Sequence, residues 1–235
     1  MRKLLVLAAV ANLLVGITPA QAATPRFQVR CMSSHIATVD PIVSPGEPSA
    51  HEHEFFGSRT TNADSTYASM TASATTCSTA DDTAGYWTPT LFRPDGSRVR
   101  ANSLLIYYRG VGGQHTHAFP ANLKMISDRF VIGPNPANLI VKFPGCWDGV
   151  HLDSPNHRSH MAFDTKGPCP ASHPVRVPTI TEVFRYPVNV SGFHLSSGPF
   201  ATGHADFWNT WDQDALETLV DRCLNNTQQC PRIDG

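Results

Sequence analysis

His51 and His53 sit two residues apart in the run His51-Glu52-His53-Glu54-Phe55. In an extended segment side chains alternate, so both imidazoles and Phe55 would share one face, with Glu52 and Glu54 on the other. Two imidazoles on one face of a strand can reach a single divalent ion at about 2.0–2.1 Å each. The same pair can equally serve as hydrogen-bonded or catalytic histidines, and a plain polar surface is the third reading. Towards the other end of the chain, Gly203-His204-Ala205-Asp206-Phe207-Trp208-Asn209 sets an imidazole and a carboxylate two residues apart. His204 and Asp206 can bind a metal, form an oriented acid/base pair, or satisfy each other in a core.

The densest polar stretch is 146–160, with Asp148, His151, Asp153, His157 and His160 inside fifteen residues. One carboxylate plus one imidazole is the minimum for general acid/base work, which singles out Asp148, Asp153, His157 and His160. The competing reading is that Asp148-Gly149 and Asp153-Ser154-Pro155 simply make turns. Gln114-His115-Thr116-His117 repeats the His-x-His spacing, but it follows Gly110-Val111-Gly112-Gly113 and reads as surface. Trp87, Trp147, Trp208 and Trp211 are candidates for stacking on sugar rings, against the commoner fate of core tryptophan.

Absent motifs narrow the chemistry. There is no Gly-x-Ser-x-Gly elbow, no His-Glu-x-x-His helix and no Cys-x-x-Cys pair, so α/β-hydrolase esterases, the common zinc proteases, zinc ribbons and thioredoxin-type sites lose support. The net charge of -1 and the low share of charged residues lack the basic footprint of a nucleic-acid binder.

What must position these groups is a β-rich scaffold. Short runs rich in β-branched and aromatic residues predict strands over 27–31, 86–93, 103–109, 123–126, 139–143 and 175–186, with Pro94-Asp95-Gly96 as hairpin turn chemistry. Leu216, Leu219, Val220, Cys223 and Leu224 share one helical face, predicting a helix over 211–225 with Thr210 and Gln213 as its capping box. The Ser-, Thr- and Ala-rich stretch 60–83 reads as a long surface loop tethered at Cys77. Nineteen prolines and sixteen glycines, spread evenly, point to many short elements in one domain over 23–235. The expected fold class is mainly β, a β-sandwich or jelly roll with long loops and one C-terminal helix.

Export explains the cysteines. Arg2 and Lys3, an apolar run over 4–17 and Ala20-Gln21-Ala22 form a signal peptide over 1–22. The apolar run is shorter than a membrane span needs. All six cysteines follow the cleavage site, and an even count in an exported protein implies disulfides. Sequence allows fifteen connectivities; the expectation adopted is nearest neighbours, Cys31 with Cys77, Cys146 with Cys169 and Cys223 with Cys230.

Several motifs resemble a family of secreted fungal and actinobacterial proteins known as domain of unknown function nineteen ninety-six. They are Val39-Asp40-Pro41-Ile42-Val43-Ser44-Pro45-Gly46, the His51-to-Gly57 run, and Cys77 with Tyr86-Trp87-Thr88-Pro89. Cys146-Trp147-Asp148-Gly149 through His160, Cys169-Pro170 with His173-Pro174, and Gly203 through Asp212 complete the set. The closing motif departs from the pattern at 205–210, where relatives often carry glycines. Asp40, His51, His53, Asp148, His160, His173, His204 and Asp206 fall inside these motifs, whereas His35, His115, His117 and His194 do not. Some relatives carry sugar-binding WSC modules, so the resemblance implies a cell-wall or polysaccharide setting.

The resulting expectation is a secreted, monomeric, polysaccharide-active protein, a glycoside hydrolase in its sharpest form, with no nucleic-acid or membrane partner. Asp206, Asp148, His204 and His160 are the expected catalytic groups and Asp40, His173, Trp87 and Trp147 the substrate contacts. His51 and His53 are candidate ligands for a divalent metal such as zinc or copper. This reading requires His51, His53, His160 and His204 to converge with Asp148 and Asp206. The alternative is a non-catalytic glycan-binding or metal-binding module.

Overall fold

The computed structural model describes residues 24–133, 138–164, 167–189, 191–226 and 230; the expected signal peptide lies outside them. The strands in chain order begin with β1 (Arg26–Cys31), β2 (Ser33–Val39), β3 (Pro48–Gly57) and β4 (Gly85–Pro89). They continue with β5 (Leu91–Phe92), β6 (Arg98–Val99), β7 (Ser103–Arg109), β8 (Lys124–Ser127), β9 (Phe130–Ile132), β10 (Asn138–Lys142), β11 (Cys146–Trp147) and β12 (Met161–Ala162). The last are β13 (Val175–Arg176), β14 (Thr179–Arg185), β15 (His194–Leu195) and β16 (Ala205–Trp208).

Ten of them form two antiparallel five-stranded sheets, ordered β1-β7-β14-β10-β9 and β2-β3-β4-β16-β8. The chain also forms two small three-stranded sheets, β12-β11-β13 and β15-β5-β6. The large sheets pack face to face. Phe27, Ile106, Tyr108, Val141 and Phe184 of the first meet Phe56, Tyr86, Ala205, Phe207 and Met125 of the second in one core. Alternation along each strand explains this, since every second residue is turned to the same side. The expected β-sandwich with long loops is therefore what the chain forms, and the six expected strand regions all carry strands. β2 was not anticipated, because its half-polar sequence Ser33–Val39 has no buried run and pairs as a hairpin with β3.

The C-terminal helix α2 (Gln213–Val220) continues as a π turn over Asp221–Asn225, with Leu216, Val220, Cys223 and Leu224 buried. Its cap is Asp212, whose side chain accepts from the Ala215 amide at 3.0 Å, not the expected Thr210. The Thr210 hydroxyl instead donates to the Thr83 carbonyl at 2.7 Å, a long-range bond that sets the helix against the second sheet. Nearby, a fully buried network joins Asp82, Tyr86, Tyr108 and Trp211, with 2.6 Å between the two tyrosine oxygens and 3.0 Å from the Trp211 indole to Tyr108. Burial pushes the Asp82 carboxyl up to about 8, against the hydrogen bonds from Tyr86 and the Ala84 amide.

The loop over 60–83 holds a short helix, α1 (Tyr67–Thr71), closed by a Thr66/Ser69 capping box. All six cysteines pair in the nearest-neighbour pattern: Cys31–Cys77, Cys146–Cys169 and Cys223–Cys230. No described helix is long and apolar enough to cross a membrane.

The feature that matters for chemistry is the outer face of the second sheet. Register aligns Phe55 with Trp87, Trp87 with Asp206, and Asp206 with Ile126. Those four residues thus form a row across β3, β4, β16 and β8, on the side away from the sandwich core. Phe55, Trp87, Ile126 and Trp208 join Ile42 and Met70 in a second, smaller apolar cluster. The segment 40–47 and α1 roof it over. One residue pair further along the strands, this small core gives way to imidazoles.

Candidate functional site

Moving two residues along β3 from Phe55 brings the chain to His53, which pairs with Pro89, and two more bring it to His51. Two residues back from Asp206 is His204. Because β3 and β16 both pair with β4, the period-2 rule sets His53 and His204 on the same outer face. The ring centroids of His51 and His53 are 4.4 Å apart, and those of His53 and His204 are 5.8 Å apart. Ligand atoms of His51, His53 and His204 all lie within 4.8 Å of one another, and so do those of Asp40, His53 and Asp206.

Each member is oriented from outside the cluster. His53 Nδ1 lies 2.9 Å from the Val39 carbonyl and His204 Nδ1 lies 2.9 Å from the Thr202 carbonyl. A carbonyl only accepts, so both Nδ1 atoms carry the proton and both Nε2 atoms point inward with a bare lone pair. Backbone carbonyls orient metal-ligating histidines in this way. Asp40 Oδ1 accepts the amides of Ile42 and Val43, each at 3.0 Å, which leaves Oδ2 facing His53 Nε2 at 4.0 Å. Gly203, just before His204, is the only residue type that fits: a Cβ there would stand 2.5 Å from the Phe130 ring.

The centre is rich in lone pairs and poor in donors. His53 Nε2 and both carboxylate oxygens of Asp206 are buried with no hydrogen-bond partner. Unpartnered buried polar atoms are costly, roughly 1–3 kcal/mol each and more for charged groups. His51 Nε2 and His204 Nε2 are 3.3 Å apart, and two nitrogens held by one tetrahedral ion at about 2.0–2.1 Å would be about 3.3–3.4 Å apart. The electrostatics agree. Burial, with help from His51 and His204, drives the His53 pKa well below the usual histidine value. His51 is lowered by burial and by His204, and His204 by burial against the Thr202 bond. Burial, then Asp40 and Glu182, raise Asp206 well above the usual carboxylate range. Imidazoles held towards their neutral form beside a buried carboxyl with no hydrogen-bond partner among the described residues are a donor set that a divalent cation would match.

The cluster opens to solvent through a cleft of about 520 Å³, whose lining includes Asp40, His51, His204 and Asp206 together with residues 155–158. The expected convergence is therefore partly corrected. His160 and Asp148 do not line the cleft. His160 Nε2 donates to the Lys124 carbonyl at 2.7 Å while its Nδ1 accepts from Ser154 Oγ at 2.9 Å, so both nitrogens are committed to holding the loop. Asp148 Oδ1 accepts the amides of Val150 and His151, and its Oδ2 takes the His151 ring at 2.7 Å. Partial burial opposes ionisation there, but those bonds from His151 and Val150 bring its carboxyl to about 2. It makes a turn.

The expected substrate contacts divide the same way. Trp87 is fully buried beneath the cluster, 5.5 Å ring to ring from Phe55, so it presents no face to a ligand. Trp147 packs on the main core and its indole donates to the His151 carbonyl at 2.6 Å. His173 donates to the Ser159 carbonyl at 3.0 Å and accepts from Ser172 at 2.9 Å. Only Asp40 of that set lines the cleft. His115 and His117 are exposed on a loop, 4.6 Å between centroids. Arg158 lines the cleft but was not anticipated; its only sequence signal was a lone arginine inside the His- and Asp-rich stretch.

The chain matches the family described as domain of unknown function (DUF1996) over residues 40–130 and 129–211. It belongs to that family. The match spans the carboxylates and imidazoles of the cluster and the 146–160 loop. No curated protein and no solved structure matches the chain.

Proposed function

We propose that this member of the family is an extracellular, polysaccharide-directed hydrolase whose working centre is a divalent-metal site held by His51, His53 and His204, with Asp206 and Asp40 beside it. The observation that carries the reading is the pair of inward-facing, proton-free Nε2 atoms next to an unpartnered buried carboxylate. A divalent cation would satisfy these lone pairs at once. Zinc or copper suits three imidazoles. When bound, such an ion acts as a Lewis acid and makes coordinated water acidic enough to serve near neutral pH.

The chain's own groups do the rest. The Val39 and Thr202 carbonyls hold the two rings in the required tautomer, and the Ile42 and Val43 amides hold Asp40. Asp206, 4.0 Å from His204 Nε2, offers a carboxylate for ligation or proton transfer. Three disulfides fit an oxidising compartment, which supports the extracellular setting.

The test is metal content of purified, dialysed full-length protein, followed by assay on a panel of wall polysaccharides. The expected result is near-stoichiometric zinc or copper, lost in His53→Gln, and reducing-sugar release that a chelator stops and added metal restores. Wild-type protein that retains no metal after incubation with zinc or copper overturns the reading. One observation favours a metal-free second reading: burial raises Asp206 well above the usual carboxylate range, the direction that suits a carboxyl to general-acid work. Chelator-resistant turnover that Asp206→Asn abolishes would select it. Binding of polysaccharide without turnover would leave a glycan-binding module.

A further inference from the structure

Residues 155–158 of the cleft's lining belong to the loop that the sequence marks as the densest polar stretch. Its groups are turned inward to brace one another. Asp153 takes the His157 ring at 2.9 Å. Asn156 Oδ1 accepts the amides of Arg158 and Ser159 at 3.1 and 2.8 Å. The loop is also stitched to the free edge of β8, where the Ile126 amide donates to the His157 carbonyl at 3.0 Å and the Lys124 amide to the Leu152 carbonyl at 2.8 Å. His157 itself is left-handed, with φ of 56°, a conformation that costs a non-glycine residue free energy and persists only where its surroundings impose it.

This bracing presents Arg158. The residue is exposed and lines the same cleft as Asp40, His51, His204 and Asp206. Among the described residues it forms no salt bridge, although two carboxylates share its cleft. Its guanidinium makes one bond, Nη1 to the Asn156 carbonyl at 3.2 Å, which ties the side chain to its own loop and leaves most of its donors uncommitted. A divalent ion would offset the two carboxylates of the cleft and leave the arginine as the uncompensated charge. Among the described residues no Phe, Tyr or Trp lines the cleft, so the large aromatic faces that stack on neutral sugars are not offered there.

We propose that Arg158, on its braced loop, is an oxyanion anchor, and that the cleft takes a polysaccharide carrying anionic groups, uronate carboxylates or phosphates, beside the metal centre. This deepens the metal-hydrolase reading and rests on it for the position of the reacting bond. A planar guanidinium with free N–H groups recognises a carboxylate or phosphate through paired, charge-assisted hydrogen bonds.

The experiment is calorimetric titration of zinc-loaded full-length protein with an oligogalacturonate, a cello-oligosaccharide of equal length, and inorganic phosphate, for wild type, Arg158→Gln and Arg158→Lys. The expected result is binding of the uronate oligomer or of phosphate, weakened about 10- to 100-fold in Arg158→Gln and partly recovered in Arg158→Lys, with little affinity for the neutral oligomer. Uronate binding without phosphate binding identifies the carboxylate as the anion, and the reverse identifies phosphate. Equal affinity of wild type and Arg158→Gln for both anions, or binding of no anion at all, overturns the inference. Metal content is measured on the same samples. Unchanged metal in Arg158→Gln separates this outcome from failure of the metal centre itself, which would show as metal-free wild type.

Discussion

Two groups of histidines in this protein have the same local chemistry and opposite outcomes. His35, His160 and His173 each donate one ring nitrogen to a backbone carbonyl and accept a serine hydroxyl on the other: Thr61 and Ser34, Lys124 and Ser154, Ser159 and Ser172. Every lone pair is used. His53 and His204 also donate Nδ1 to a carbonyl, but among the described residues nothing donates to His53 Nε2, and His204 Nε2 meets the His51 imidazole at 3.3 Å and the Asp206 carboxyl at 4.0 Å. The difference teaches that the histidine count is no guide to reactivity here. A histidine with a serine against its second nitrogen is scaffold, and one whose second nitrogen faces other lone pairs is available for an ion.

The sharpest way to break this contrast is to cross it. His53→Ala should reduce retained zinc or copper from near-stoichiometric to background by metal analysis, whereas His160→Ala should leave it unchanged and cost about 1–3 kcal/mol of stability by denaturant titration, because the Ser154 hydroxyl and the Lys124 carbonyl lose their partner. Equal metal loss in both variants would erase the distinction. Next in size, Trp87→Ala should destabilise by about 3–5 kcal/mol as a cavity opens beneath the imidazoles, and Trp147→Ala by clearly less, since that ring is only partly buried.

Removing the ion comes third. Saturating metal at about 100 times Kd stabilises a native protein by about 2.7 kcal/mol, so chelation should lower Tm by roughly 5–10 °C for a chain of this size. His53→Ala should show no such drop. The last effect concerns pH. Asp82 ionises at about 8 in the folded chain against a usual 3.8. Its folded form therefore holds a proton that the unfolded chain has lost, and its stabilisation, present below 3.8, declines as pH rises towards 8. The imidazoles act in the opposite sense. Lowered when folded, they cost stability as pH falls through 6.5, where only the unfolded chain takes up protons. Asp82→Asn should remove its own share of the alkaline decline, the remainder coming from Glu54, Glu182 and Asp206, which burial also raises, while leaving the acid limb, read from Tm across pH 4 to 8 without metal.

Much of the scaffold was legible. Strands over 27–31, 103–109 and 139–143 lie within one or two residues of β1, β7 and β10, because their apolar and β-branched runs are buried and local pattern follows burial. The closing helix was readable from its apolar stripe, and its cap was not: Thr210 is drawn to Thr83, more than a hundred residues away, so Asp212 takes the role. The site divides on the same principle. His51 with His53, and His204 with Asp206, were recognisable as same-face pairs because period-2 alternation is a property of the strand itself.

The 146–160 loop was misread at His160 and Asp148 because composition counts polar groups without saying whether they bind each other. It was under-read at Arg158, which among the described residues forms no salt bridge and bonds only its own loop, at the Asn156 carbonyl. Spacing, patterning and cysteine order thus determined a disulfide-stapled β-sandwich and named the residue pairs able to do chemistry, since those depend on neighbours in the chain. Which pairs meet was decided by the strand order β3-β4-β16, which joins residues some 150 positions apart. Which lone pairs stay bare was decided by carbonyls and hydroxyls from other segments, and only the folded chain brings those within hydrogen-bond reach.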